Sequence, residues 1–288
     1  MHELTVSERI RAKFDALTRA ERQLANTMLE NYPMSGLGNI VDLADNAGVS
    51  SPTVARMARK LEFGGFPEMQ RSLRNELEAK ISNPISKHDR WAAHAPDAHI
   101  LNRFADVVME NLRHTLQHID AGTFDAVTDL LSDGDRTIHA LGGRITRSLA
   151  DYFITHLQVI RQDCILLPPN SNTWPHHVLN MREGDVFVVF DVRRYEHDML
   201  RVSQMAHDKG ARIVLFTDQW VSPISSIAEH SFHCRIEAPS GWDSSVVTVF
   251  FVEALIAAVE TKNWDSTRER MKTLEELFDD MKLFRKFT

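Results

Sequence analysis

From residue 136 onward, short apolar runs recur with helical stretches between them: RTIHALGG, CILLPP, DVFVVFDV, RIVLFTD and SFHCRIE. Each run is continuously apolar, the pattern of a strand buried on both faces; a sheet with one wet face would alternate. Helices are expected between the runs, near 146–161, 175–181, 195–209 and 222–228. Strands and helices in this alternation predict a doubly wound α/β domain on a five-stranded parallel sheet. Such sheets bind small ligands beyond the carboxyl ends of their strands, where helix N-termini offer N–H groups and a favourable dipole to an anion. Two more amphipathic helices, over 243–262 and 265–285, are expected to pack on the sheet or on a second subunit.

The first 80 residues keep a different rhythm. Apolar residues spaced i, i+3, i+4 predict helices over 5–15, 18–31, 39–47, 51–61 and 67–81, with breaks at Pro33, Gly36, Gly38, Gly48, Gly64 and Gly65. The stretch 82–96, SNPISKHDRWAAHAP, has two prolines and no sustained period and reads as a linker. Helices over 97–119 and 123–132 then lead into the α/β half. The expected organisation is an all-α domain over 1–81, a linker over 82–96 and an α/β domain over 97–288.

Within the helical part, LADNAGVSSPTVARMARKL (43–61) has helix-turn-helix spacing. Leu43, Ala44, Ala47, Val49, Val54 and Met57 fall where two short helices must pack, and Gly48 sits at the turn, where a left-handed backbone is cheap without a Cβ. Ser50 or Ser51 can cap the second helix, and Pro52 fits its first turn. This leaves Ser51, Thr53, Arg56 and Lys60 facing outward, with Arg59 at the edge. Hydroxyls near a helix start and basic residues further along suit base edges and phosphates in a major groove, so Ser50, Ser51, Thr53, Arg56, Arg59 and Lys60 are the DNA-binding candidates. The net charge of −7 does not oppose this. Residues 1–80 carry eleven basic and eleven acidic side chains, and 50–74 carry five basic against two acidic. A local excess of that kind fits a protein that reads a site as a dimer.

These strings together resemble the RpiR/MurR family of bacterial transcriptional regulators. LTRAERQLANTMLENYP and ADNAGVSSPTVARMARKLEFGGFPEMQRSLRNEL are similar to the family's N-terminal domain, including Gly65-Phe66 after the second helix. GDVFVVFDV, AHDKGARIVLFTD and SPISSIAEHSF resemble the strand and helix pattern of its sugar isomerase (SIS) domain. The resemblance implies a homodimer or homotetramer that binds double-stranded operator DNA and controls a metabolic operon, such as one for a carbohydrate. It also implies a small effector bound in the SIS domain.

The ligand loops depart from the family's pattern. Where SIS domains usually carry G-x-G-x-S after the first strand, this chain has Gly142, Gly143, Arg144 and Thr146; where the second loop usually reads S-x-S-G-x-T, it has Asp191-Val192-Arg193-Arg194-Tyr195-Glu196. Guanidinium and carboxylate groups replace hydroxyls. Arg144 and Arg193 end the first and third strands, adjacent in the strand order that the family implies, and are expected to point into one crevice. The effector-binding candidates are therefore Gly142, Gly143, Arg144, Thr146, Asp191, Arg193 and Arg194. Their ligand would be an anionic metabolite: a sugar phosphate, a sugar acid or another carboxylate. The alternative is that the arginines are solvated surface charges paired with Asp191, Glu196 or Asp198.

Other chemistries find less support. His114 and His118 have the i, i+4 spacing of zinc ligands on a helix, but no H-E-x-x-H string accompanies them, and no metal or cofactor is expected. Cys164 and Cys234, each in an apolar run, read as buried free thiols. Trp174, Trp220 and Trp242 read as packing residues near strand ends. No apolar run reaches the length of a membrane helix and no signal peptide is evident at the start, so a cytoplasmic protein is expected. An enzyme, a sugar-phosphate isomerase or lyase with an accessory helical domain, is the rival reading. It would need a base near C1 and C2 of its substrate, and only Glu196, Glu237 and His230 stand near the strand ends, none in an isomerase motif, so no catalytic residues are assigned. A third reading, a scaffold without ligand, follows from the lost serines.

Overall fold

The computed structural model describes residues 4–93 and 99–284. Helices start where the sequence supplies caps. Thr5 and Glu8 form a capping box for α1 (Val6–Ala12), and Thr18 and Glu21 another for α2 (Arg19–Glu30). Asn39 accepts from Val41 and Asp42 to start α3 (Ile40–Asn46); Ser50 precedes α4 (Ser51–Lys60) without a side-chain cap bond, and Pro52 fits its first turn. Helix α5 (Phe66–Ile81) follows. Their apolar faces close one core in which Val6, Ile10, Leu24, Val54, Met57, Leu61, Met69 and Leu73 have no exposed surface.

The stretch expected as a linker holds helix α6 (Pro84–Ala93); its last residues, 94–96, lie outside the described residues. The correction has a local cause. Asn83 accepts the N–H of Ser86, and Pro84 occupies the first helical position, where its missing N–H costs nothing. Helix α7 (Ile100–His118) and helix α8 (Ala121–Ser132) follow.

Helices and strands then alternate: β1 (Ile138–Gly142), α9 (Arg147–Ile160), β2 (Cys164–Leu166), α10 (Trp174–Asn180), β3 (Val186–Phe190), α11 (His197–Asp208), β4 (Arg212–Asp218), β5 (His230–Cys234), α12 (Val246–Lys262) and α13 (Trp264–Met281). All five strands pair in one parallel sheet of order β2-β1-β3-β4-β5, with Gly142 opposite Phe190 and Phe190 opposite Phe216. The short helix expected near 222–228 is a single 3-10 turn, Pro223–Ser226. A row of rings crosses the sheet: Phe190 stacks on Phe216 at 4.7 Å, Phe216 on Phe232 at 4.9 Å, and Phe232 meets Phe251 of α12 at 6.1 Å. Such aromatic contacts add to the burial of each ring. Cys164 and Cys234 are buried free thiols. Among the described residues no helix is long and apolar enough to cross a membrane.

The chain divides into two compact units. The first comprises Met1–His118, Thr217–Ser226 and His233–Ser245; the second comprises Ile119–Phe216, Ile227–Phe232 and Val246–Thr288. Helix α7 thus falls in the first unit, and the division passes through β4 after Phe216 and through β5 after Phe232.

Candidate DNA-binding and ligand-binding sites

The turn between α3 and α4 is closed by Val49 N–H donating to Ala44 O at 2.9 Å and Gly48 N–H to Asp45 O at 3.1 Å, with Gly48 at φ +62. An L side chain is strained at that angle. Leu43, Ala44, Ala47, Val54 and Met57 are buried and Val49 is half-buried, as the spacing requires.

The outward stripe differs from the expected one. Thr53 is 5% exposed, its hydroxyl bonded to that of Ser50 at 2.9 Å and accepting from Arg56 at 3.1 Å. Lys60 turns inward, pairing with Glu21 of α2 at 2.8 Å and donating to Ala16 O at 2.9 Å. The reason is helical phase: Thr53 and Lys60 stand four before and three after buried Met57, so all three share a face. Exposed on the opposite stripe, again at i, i+4, i+7, are Pro52, Arg56 and Arg59, with Ser50 exposed and Ser51 half-exposed at the helix start. Sequence reasoning also missed what fixes the far end of α4. Arg9 of α1 donates to Leu61 O at 3.0 Å and Glu62 O at 3.1 Å, and Lys13 donates to Lys60 O at 2.8 Å. Cations at a helix C-terminus satisfy carbonyls that have no partner within the helix.

In the second unit, the loops after β1 and β3 lie side by side because their strands are paired. The Gly142–Thr146 turn is held by Thr146, whose buried hydroxyl accepts Gly143 N–H at 2.9 Å and donates to Phe190 O at 2.6 Å. A Cβ on Gly142 would stand 2.4 Å from Thr146 O, so backbone passes backbone there. Asp191 is buried, and its N–H donates to Phe216 O at 3.0 Å. Arg193 (φ 42) and Arg194 (φ 64) occupy left-handed backbone, which costs about 1 kcal/mol or more for a residue with a Cβ. Arg193 is half-buried; Arg194 and Arg144 are exposed. A contact between the two loops is made by Glu196, whose carboxylate accepts Arg144 N–H at 3.1 Å. In the sequence Glu196 was legible as a possible base or as an ion-pair partner of the arginines, not as a bond to the backbone of the other loop. His230, also weighed as a base, opens β5 at its amino end, whereas Glu196 follows the carboxyl end of β3.

His114 and His118 stack at 4.4 Å, and His114 Nδ1 faces Glu8 at 3.8 Å. Burial and the nearby Arg235 push His114 down to about 4, even though Glu8 opposes the shift. Among the described residues no group of three or more His, Cys, Asp or Glu side chains is placed to hold a metal.

Comparison with known proteins accounts for both halves. Residues 4–80 match the model of the helix-turn-helix domain of the rpiR family, and residues 130–258 match that of the SIS domain, in that order along the chain. The chain belongs to the RpiR family of transcriptional regulators. Its curated relatives include the HTH-type transcriptional regulator HexR of Pseudomonas aeruginosa, 27% identical over 218 residues (73% of this chain, 72% of that one). HexR of Escherichia coli is 20% identical over 286 residues, 95% of this chain and 94% of that one. Among solved structures, the sugar isomerase domain of an RpiR transcription factor from Sphaerobacter thermophilus superposes with a TM-score of 0.58 at 20% identity, covering 62% of this chain and 99% of that one. NanR of Vibrio vulnificus, solved in complex with ManNAc-6P, superposes with a TM-score of 0.55 at 17% identity, covering 96% and 98%. This RpiR-type protein is thus a DNA-binding transcriptional regulator, like the two HexR regulators that it matches over 72% and 94% of their length.

Proposed function

We propose that this RpiR-type regulator controls a metabolic operon by inserting α4 into the major groove of each half of a palindromic operator, as a homodimer or a dimer of dimers. Arg56 and Arg59 would reach bases and phosphates, Ser50 and Ser51 the phosphates at the helix start, and Thr53 and Lys60 would hold α4 in place from its inner face. The observation that carries this reading is the stripe of Arg56 and Arg59, exposed on a helix whose opposite face is fully buried. Association of subunits is supported by α12, a largely apolar helix that leaves Val246 and Phe250 exposed. Arg56→Ala should weaken operator binding by about 1–3 kcal/mol while the far-ultraviolet spectrum stays that of wild type. Operator shifts equal to wild type in an electrophoretic assay would remove α4 from the groove.

For the second unit, the reading is a site for a small anionic metabolite, a sugar phosphate, sugar acid or other carboxylate, built from Gly142, Gly143, Arg144, Thr146, Asp191, Arg193 and Arg194. The left-handed backbone at Arg193 and Arg194 supports it, since strain of this kind concentrates at ligand sites. So does the paired position of the two loops, with the Arg144 guanidinium exposed beside them. A thermal-shift screen of sugar phosphates, sugar acids and dicarboxylates identifies the ligand by the stability it adds. Calorimetric titration of Arg193→Ala with that ligand should then give an affinity weaker by about ten-fold or more, because a charge-assisted contact contributes about 1.5–3 kcal/mol. Equal affinities would make the arginines surface charges.

A further inference from the structure

The first unit contains a buried ionic contact that neither site above uses. Arg235, the residue after β5, forks onto Glu8 of α1, with Nε to Oε1 at 2.9 Å and a terminal nitrogen to Oε2 at 2.6 Å. Both side chains are 10% exposed or less. The same carboxylate accepts Thr5 N–H at 2.7 Å as half of the capping box, so one group both starts α1 and anchors it. The pair does not stand alone. Arg235 N–H donates to Thr115 at 3.1 Å, Asn111 donates to Glu237 O at 2.7 Å, Ser7 donates to Gln219 O at 3.2 Å, and Lys87 pairs with Asp243. The two segments that continue β4 and β5 are therefore fastened to helices of the DNA-binding unit.

At its other end α1 holds α4. Arg9 and Lys13, one and five residues beyond Glu8, bind the last carbonyls of α4, while Val6 and Ile10 pack into the core that also buries Val54 and Met57. From Glu8 to Lys13 a helix rises about 8 Å. A short rigid peg thus joins Arg235 to the C-terminus of the recognition helix. The carboxyl ends of the strands are where parallel sheets take ligands, and only His233 and Cys234 separate Phe232, the last of the second unit in β5, from Arg235.

We propose that Arg235 is a positioning residue for DNA binding: acting through Glu8 and α1, it sets the orientation of α4 and passes to it any displacement of the segment that leaves β5. The proposal rests on the reading of α4 as the helix that enters the groove. Its signature is the spacing between half-sites, because a dimer whose recognition helices are held in fixed places accepts one spacing, and a dimer with loosened helices accepts several.

The test uses the full chain and an operator selected from random DNA by the wild-type protein. Removing one partner would strand a buried charge and destabilise the unit, so Glu8→Gln is combined with Arg235→Met. A second pair, Arg9→Gln with Lys13→Gln, cuts the far end of the same peg. Dissociation constants are measured for the selected operator and for versions with one or two base pairs added between half-sites. Both pairs should bind the selected operator about ten-fold more weakly or worse and lose most of their discrimination against the altered spacings; Arg235→Lys should recover part of both. A folded pair with wild-type affinity and wild-type spacing preference overturns the proposal. An equal loss on every spacing also overturns it, since that is the mark of a missing phosphate contact. If the Glu8/Arg235 pair does not fold, the far-end pair decides. Arg56→Ala is run alongside: its loss of binding with unchanged Arg9/Lys13 behaviour rejects the peg alone, and its failure to matter rejects the groove.

Discussion

Phe216→Ala is expected to destabilise the protein by about 3–5 kcal/mol, the usual cost of emptying a buried ring site. Phe216 has no exposed surface and is stacked on both sides, on Phe190 of β3 and Phe232 of β5. Deleting it opens a void in the middle of the aromatic row, and neither neighbour can close it without leaving its own strand, because the backbones are fixed in register by the sheet. Phe216→Leu should restore most of the loss. The measurement is urea unfolding followed by circular dichroism, read as a shift in midpoint at unchanged slope for the transition that carries the sheet. A loss under about 1 kcal/mol would mean that the row is incidental to stability.

The second large effect is on pH dependence, from Glu76 of α5. Its carboxyl is buried, accepts Val6 N–H at 2.9 Å and Ser72 Oγ–H at 3.2 Å, and bonds the Tyr32 hydroxyl. Burial pushes it up to about 8; the Val6 N–H opposes this, and the neighbouring Glu8 charge adds to it. The unfolded chain releases this proton near the ordinary value of 4.5. Between those values the folded state binds more protons than the unfolded one, so the contribution of Glu76 is full below about 4.5 and is lost as pH rises through about 8. Glu76→Gln abolishes the titration and keeps an acceptor for Val6. The stability of the variant relative to wild type, followed through melting curves, should therefore climb from pH 5 to pH 8.5, the difference reaching about a few kcal/mol. Lowered values at His114 and His139 act in the opposite sense, removing stability as pH falls below about 6.5, but they are common to both proteins and cancel in the comparison. Parallel melting curves across that range would show that Glu76 is ionised throughout.

Periodicity carried the sheet and most helices, because a strand buried on both faces and an amphipathic helix each write their environment into neighbouring residues. It carried the helix-turn-helix for the same reason, down to Gly48. It failed where a single turn of phase matters: Thr53 was assigned outward, yet it lies one turn from Met57 and is drawn to the same face. It missed the helix at 84–93, which begins at one of the two prolines of 82–96. Arg144 and Arg193 were correctly brought to neighbouring strand ends, but the bond that Glu196 makes between the loops has no sequence signature, since nothing local says that a carboxylate will reach an N–H 52 residues away. The Glu8–Arg235 pair, separated by 227 residues, is beyond any spacing argument.

The composition of the first unit also sets an order of events during synthesis. The apolar core of α1 to α5 lies entirely within the first 73 residues and can close early on a nascent chain. Arg235, the partner of Glu8, emerges much later: at about 5–20 residues per second, the stretch from Leu73 to Arg235 takes roughly 8–32 s to make. Throughout that interval α1 is capped and packed in its core, but Glu8 has no guanidinium partner. A chain truncated between the end of α5 and Arg235 would carry a closed helix-turn-helix core in which Glu8 lacks its guanidinium partner, and a first helix fixed from both ends would belong only to molecules whose sheet is already made.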